Sequence, residues 1–137
     1  MDNKQINIGL FGFGTVGKGL YDVLKKIQPE NVSIVKVCVR NVAKHSAEAP
    51  ELEFTSNADD IFTDSRINFI VELIDDAEAA YGIVKRALQA KIPVVSGNKK
   101  MLARHIQEMI QLQRDNDTAL LYDASACGSI PVIRNLE

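Results

Sequence analysis

Ile8-Gly9-Leu10-Phe11-Gly12-Phe13-Gly14-Thr15-Val16-Gly17-Lys18-Gly19-Leu20 decides the fold of this chain. An apolar strand runs into a glycine turn, and a helix starts directly behind it. Gly12, Gly14 and Gly17 have the G-x-G-x-x-G spacing of a dinucleotide fingerprint. Each glycine has a physical task. Gly12 permits the tight turn out of the strand, Gly14 lets a pyrophosphate come against bare backbone, and Gly17 lets the helix pack closely on the strand. The helix N-terminus then offers free N–H groups and a positive dipole end to phosphate. The candidate cofactor contacts are therefore Gly12, Phe13, Gly14, Thr15, Val16 and Gly17. A merely tight strand-to-helix turn is the plainer alternative.

Working outward, Ile6, Ile8, Leu10 and Phe11 make the first strand. Val16, Leu20, Val23, Leu24 and Ile27 recur at helical spacing, so residues 15–27 are expected to form an amphipathic helix. Val32–Val39 reads as a second, largely buried strand. Residues 40–58 are polar and irregular, broken by Pro50. A short helical turn follows, capped by Asn57, with Ile61 and Phe62 facing inward. Residues 68–74 form the third strand. Asp75 and Glu78 have capping-box spacing ahead of a helix whose face is Ala80, Ile83, Val84, Ala87 and Leu88. Residues 92–95 form the fourth strand. Asn98 caps a helix with Leu102, Ile106, Met109, Ile110 and Gln113 on one side. Thr118–Tyr122 is the fifth strand, and Gly128–Leu136 reads as the opening of a sixth helix.

Strands that alternate with helices imply an α/β fold: a doubly wound, Rossmann-type parallel sheet in a single domain spanning residues 1–137. The expected strand order, counted along the chain, is 3-2-1-4-5. Ligands of such sheets lie across the carboxyl ends of the strands. That rule selects the glycine turn, Arg40, Glu72 to Asp76, Ser96 to Lys99, and Asp123 to Pro131.

The totals exclude other classes. With 137 residues, 46% of them hydrophobic, and a formal net charge of −2, the chain has room for a core and no basic field for nucleic acid or membrane surfaces. No apolar run approaches bilayer length, and no signal peptide precedes the first strand. Cys38 and Cys127 form no C-x-x-C pair, which fits free thiols in a reducing cytoplasm. In NAD-selective sheets an acidic residue about 20 positions past the glycines holds the ribose 2′-OH. No Asp or Glu lies between Glu30 and Glu48. Arg40 ends the second strand instead, with Lys44 and His45 close behind. A 2′-phosphate would meet cations there, so NADP(H) is the expected cofactor, with NAD(H) as the alternative. A solvated strand-end charge is the plainer reading of Arg40, and His45 reads as a surface histidine.

Three segments, taken in order, resemble the N-terminal half of homoserine dehydrogenases: Gly9–Gly17, then Val94-Val95-Ser96-Gly97-Asn98-Lys99, then Tyr122-Asp123-Ala124-Ser125-Ala126-Cys127-Gly128-Ser129-Ile130-Pro131. The second is similar to that family's V-V-T-A-N-K and the third to its Y-E-A-S-V-A-G-G-I-P. Val71-Glu72-Leu73-Ile74 is similar to its V-E-L-I. The resemblance implies reversible hydride transfer between NADP(H) and a small amino-acid substrate, aspartate 4-semialdehyde to homoserine, in threonine and methionine biosynthesis. It implies that Lys99 assists catalysis by touching cofactor and polarising the substrate oxygen, with a surface lysine as the plainer alternative. It places Ser96 and Asn98 on the nicotinamide side, although Asn98 also reads as a helix cap. It further implies a monovalent-cation (sodium) site at Asp123, Ala126, Gly128 and Ile130. The chain departs from the pattern there: Asp123 stands for Glu, Ser129 for a glycine, and Asp75-Asp76 for a G-G pair. The family's substrate domain carries the principal catalytic residues and the dimer contacts. The expectation is thus an isolated cofactor domain without activity of its own, from a cytoplasmic parent that is a homo-oligomer. The rivals are another two-domain Rossmann oxidoreductase and a nucleotide-sensing regulatory domain.

Overall fold

In a computed structural model of the chain, residues 4–122 are described. They belong to two compact units that divide after Leu73. The first unit contains β1 (Ile6–Phe11), α1 (Thr15–Ile27), β2 (Val32–Cys38), α2 (Val42–Glu48), β3 (Phe54–Thr55), α3 (Ala58–Phe62) and β4 (Phe69–Glu72). Its strands are all parallel and run in the order β3-β2-β1-β4.

This order corrects the sequence-based one. The segment expected as third strand pairs with β1, with Leu10 opposite Val71. The place beside β2 belongs to β3, a two-residue strand inside the stretch expected to be irregular. That stretch also holds α2, which has no buried residue. Both elements are too short and too polar to show a hydrophobic period.

The two faces of the sheet are covered differently. Ile8, Leu10, Val37, Val39 and Val71 form one core with Phe13 and Ala49, and Leu20, Tyr21 and Leu24 of α1 pack on it. On the other face, Gly9 lies under Ile61 and Ile67, and Phe11 meets the Phe62 ring at 5.6 Å. A register shift between Ile8 and Gly9 lets Ile34 and Val37 share the first face. Lys36 then reaches the other face, where it pairs with Asp64 at 3.1 Å and Glu53 at 3.3 Å. Of the expected face of α1, Leu20 and Leu24 are packed, whereas Val16, Val23 and Ile27 are more than half exposed. The apolar stripe is wider than the strip of sheet beneath the helix.

The second unit contains α4 (Ala77–Gln89), β5 (Val94–Ser96), α5 (Lys99–Asn116) and β6 (Leu120–Leu121), with β5 and β6 parallel. Ala80, Val84, Ala87 and Leu88 of α4 are buried, as are Met101, Leu102 and Met109 of α5. The α4 cap is Asp76, not Asp75, because the Asp76 side chain accepts from the Glu78 N–H. His105 interrupts the helical dihedrals of α5 and stacks on Tyr81 at 3.9 Å. Among the described residues, no helix is long and apolar enough to cross a membrane.

Candidate functional site

The turn between β1 and α1 is built as the glycine spacing requires. Gly12 has φ 99°, a conformation open chiefly to glycine, and donates its N–H to the Cys38 carbonyl at 3.0 Å. Gly17 is buried against that turn: a Cβ there would stand 2.6 Å from the Gly12 oxygen. Gly14 faces open space, with nothing within 4 Å of a Cβ added to it. It is also the N-cap of α1, with no side-chain cap. The first helical bond runs from the Lys18 N–H to the Gly14 carbonyl at 2.8 Å. The N–H groups ahead of it have no partner within the helix, and no acidic residue occupies the first turn. Thr15 and Val16 are exposed. Bare backbone, an open helix N-terminus and unopposed positive potential fit a pyrophosphate.

Phe13 holds this turn in place. Its ring is buried and surrounded by Phe54 at 5.3 Å, His45 at 5.5 Å and Tyr21 at 5.9 Å. His45 is therefore not a surface histidine. Its Nδ1 lies 2.8 Å from Glu48 Oε1, and Lys18 Nζ lies 3.0 Å from Glu48 Oε2. These two partners hold the Glu48 carboxyl below the usual carboxylate range, the His45 hydrogen bond first. Sequence reading missed this cluster, although Phe13 inside the fingerprint and the i, i+3 spacing of His45 and Glu48 were available signals.

Arg40 follows β2 and is exposed, as is Lys44. Neither makes an ion pair among the described residues. Asn41 caps α2 by accepting from the Lys44 N–H at 3.0 Å, which fixes the backbone beside Arg40. At the end of β4, Glu72 is fully buried and lies opposite Phe11 in register. Cys38 is half-buried, and burial followed by the Asp60 charge pushes its thiol up, away from nucleophilic use.

In the second unit, Asn98 is a fully engaged helix cap. Its Oδ1 accepts from the Met101 N–H at 2.9 Å, and its Nδ2 donates to the carbonyls of Ile74 and Asp75 at 2.8 and 3.2 Å. Ser96 is buried, and its Oγ accepts from the Asn98 N–H at 3.2 Å. Lys99 opens α5, is exposed and makes no ion pair among the described residues. The expected cation ligands Asp123, Ala126, Gly128 and Ile130 lie outside the described residues, as does Cys127. Among those described, no group of three His, Cys, Asp or Glu side chains could hold a metal.

A central parallel strand, a fingerprint turn and an open helix N-terminus define a dinucleotide-binding α/β domain of the Rossmann type. The profile of the homoserine dehydrogenase NAD-binding domain matches residues 12–123, across both compact units, and the chain belongs to that family. It is 35% identical to homoserine dehydrogenase of Lactococcus lactis over 96% of this chain and 33% of that protein. For the Helicobacter pylori homoserine dehydrogenase the values are 33%, 98% and 32%. The crystal structure of a homoserine dehydrogenase from Thiobacillus denitrificans superposes with a TM-score of 0.79 at 32% identity, covering 89% of this chain and 30% of that one. The chain thus spans about a third of the length of the curated relatives it matches.

Proposed function

We propose that the chain is the cofactor-binding domain of an NADP(H)-dependent homoserine dehydrogenase. The observation that carries the NADP(H) assignment is the charge pattern behind β2. Arg40 and Lys44 are exposed and unpaired among the described residues, while Glu48, the first acid after Glu30, is already engaged by His45 and Lys18. A 2′-phosphate gains a cation there, and a 2′-hydroxyl finds no free carboxylate. The test is a titration of NADPH and NADH with wild type and Arg40→Ala. NADPH is expected to bind more tightly, with the substitution weakening it about tenfold or more and leaving NADH nearly unchanged. Equal affinities, or equal losses, refute the assignment.

When bound, the coenzyme supplies the hydride that interconverts aspartate 4-semialdehyde and homoserine. The residues of this chain hold and orient it. Gly12 to Gly17 grip the diphosphate through backbone N–H groups, and Arg40 fixes the adenosine end. Ser96 and Asn98 shape the nicotinamide side mainly through the rigid backbone they create. Lys99, free among the described residues, directs its ammonium to the substrate oxygen and stabilises developing negative charge. The cytoplasmic parent is a homo-oligomer serving threonine and methionine biosynthesis, with a substrate domain outside residues 1–137. The chain alone binds coenzyme without turnover, and detectable turnover by it refutes that statement. Asp123, Ala126, Gly128 and Ile130 would bind sodium. A sodium-dependent rise in thermal stability, abolished by Asp123→Ala, is the expected sign, and no such dependence counts against the site.

A further inference from the structure

We infer that His45 is a positioning residue for the coenzyme: it locks the phosphate turn to the helix behind Arg40 and so sets the spacing between the two anionic subsites. This rests on the reading that the glycine turn holds the diphosphate and Arg40 the 2′-phosphate.

The helix α2 is seven residues long and buries none of them. A helix so short has little stability of its own and takes its position from what anchors it. Val42 packs partly on the core, and Asn41 caps the start. Buried Ala49, which caps the end of the helix, belongs to the same core. His45 adds two links that lead to the turn, one direct and one through Glu48. Its ring meets Phe13 edge-on at 5.5 Å and stacks near Phe54 at 6.2 Å, with 14% of the side chain exposed. Phe13 is the residue between Gly12 and Gly14, so this contact acts directly on the backbone that receives phosphate. The second link runs from His45 Nδ1 to Glu48 and on to Lys18, the residue after Gly17. The ring contact and the Glu48–Lys18 pair tie both ends of the turn to α2, and the His45 hydrogen bond orients the Glu48 carboxylate within that pair. Arg40 stands two residues ahead of that helix. Its backbone is fixed on one side by Val39, which donates to the Thr55 carbonyl at 2.8 Å, and on the other by the Asn41 cap. If α2 drifts, the guanidinium drifts with it relative to the diphosphate cradle. A ligand that uses both subsites then loses more than a ligand that uses one.

The ratio of NADPH to NADH affinity reads this spacing and is insensitive to a uniform loss of folded protein. Calorimetric titrations of the full 137-residue chain, run well below the melting temperature, compare wild type with His45→Ala, Glu48→Ala, Arg40→Ala and the His45→Ala/Arg40→Ala double variant. His45→Ala is expected to lower the ratio about fivefold or more, with Glu48→Ala moving it the same way. In the Arg40→Ala background the His45 substitution is expected to leave the ratio unchanged, because the second subsite is already gone. Should His45→Ala not fold, Glu48→Ala carries the test alone, since its side chain is on the surface. A ratio within about twofold of wild type in the folded variants, while Arg40→Ala still abolishes discrimination, overturns the positioning role and spares the site. A wild type that binds neither dinucleotide, or an unchanged ratio in Arg40→Ala, overturns the underlying site and the inference with it.

Discussion

Gly14→Ala and Gly17→Ala separate folding from binding within one turn. A Cβ at Gly17 would stand 2.6 Å from the Gly12 oxygen and 3.2 Å from its carbonyl carbon. Both atoms are backbone, so no rotamer change relieves the clash, and helix and turn must part by most of an ångström. Overpacking of this kind costs about 1–3 kcal/mol. For a domain of this size that lowers Tm by roughly 3–15 °C. At Gly14 the same methyl meets nothing within 4 Å, and the backbone there has φ −79° and ψ −155°. Alanine restricts the unfolded chain, which stabilises by up to about 1 kcal/mol. It is also a poorer N-cap than glycine, by a similar amount. The two effects offset, leaving Tm within roughly 5 °C of wild type.

Binding reverses the ranking of harm. In the proposed site, the methyl at Gly14 would occupy the space where diphosphate oxygens approach the N–H groups of α1. Loss of one charge-assisted hydrogen bond is worth about 1.5–3 kcal/mol, so dinucleotide affinity should fall at least about tenfold. Scanning fluorimetry gives Tm, and calorimetric titration with NADPH and NADH gives affinity. The reasoning fails if Gly14→Ala binds both coenzymes like wild type, or if it melts lower than Gly17→Ala.

Phe13→Ala should cost about 3–5 kcal/mol in urea denaturation, because it empties the centre of a ring cluster in which Phe54, His45 and Tyr21 all meet its buried ring. Asp64→Asn should destabilise by about 1–3 kcal/mol, since it removes a nearly buried carboxylate bound by Arg66 and Lys36 while leaving Lys36 its Glu53 partner. Arg66 holds the folded Asp64 carboxyl well below its ordinary value of 3.8. Its stabilisation is therefore complete above that pH and is lost as acid titrates it below, so wild type should lose stability below about pH 4 more steeply than the variant. Asn98→Ala should cost about 1–3 kcal/mol by thermal melting, through one lost cap and two carbonyls left without their donor. Asn98→Asp should not restore it, because a carboxylate keeps the acceptor and turns a charge toward the Ile74 and Asp75 oxygens.

What was legible in the sequence follows from where each signal lives. The helix over residues 15–27 has the bounds its apolar period and the Gln28-Pro29 stop predict. The caps Asn57 and Asn98 were readable because each lies one residue ahead of its helix. The elements α2 and β3 were not, because one buries nothing and the other has two residues. Without β3 the whole strand order shifts: the sequence pattern leaves the place beside β2 vacant, and the next visible strand fills it. The register shift at Ile8/Gly9 was equally hidden, because alternation within β2 only makes sense once that shift is known.

The candidate site divides along a different line, between side chains the protein has already engaged and those it has not. Asn98 looks like a ligand in a motif, yet its Oδ1 caps α5 and its Nδ2 holds the Ile74 and Asp75 carbonyls. His45 and Glu48 look like surface polarity, yet they lock each other beside the turn. Arg40, Lys44 and Lys99 are the reverse: Arg40 and Lys99 follow the carboxyl ends of strands and Lys44 lies in the first turn of α2, and all three stay exposed and form no ion pair among the described residues. An exposed lysine or arginine near a free carboxylate gains little by pairing, so isolation alone is weak evidence. For Arg40 and Lys44 it stands near the start of α1, whose first turn has no side-chain cap and no acidic residue, so that the dipole end there adds to the positive potential. The proposed coenzyme, with a diphosphate at the turn and a 2′-phosphate at Arg40, would meet that potential at two points, and Gly14→Ala together with Arg40→Ala would measure the two contributions separately.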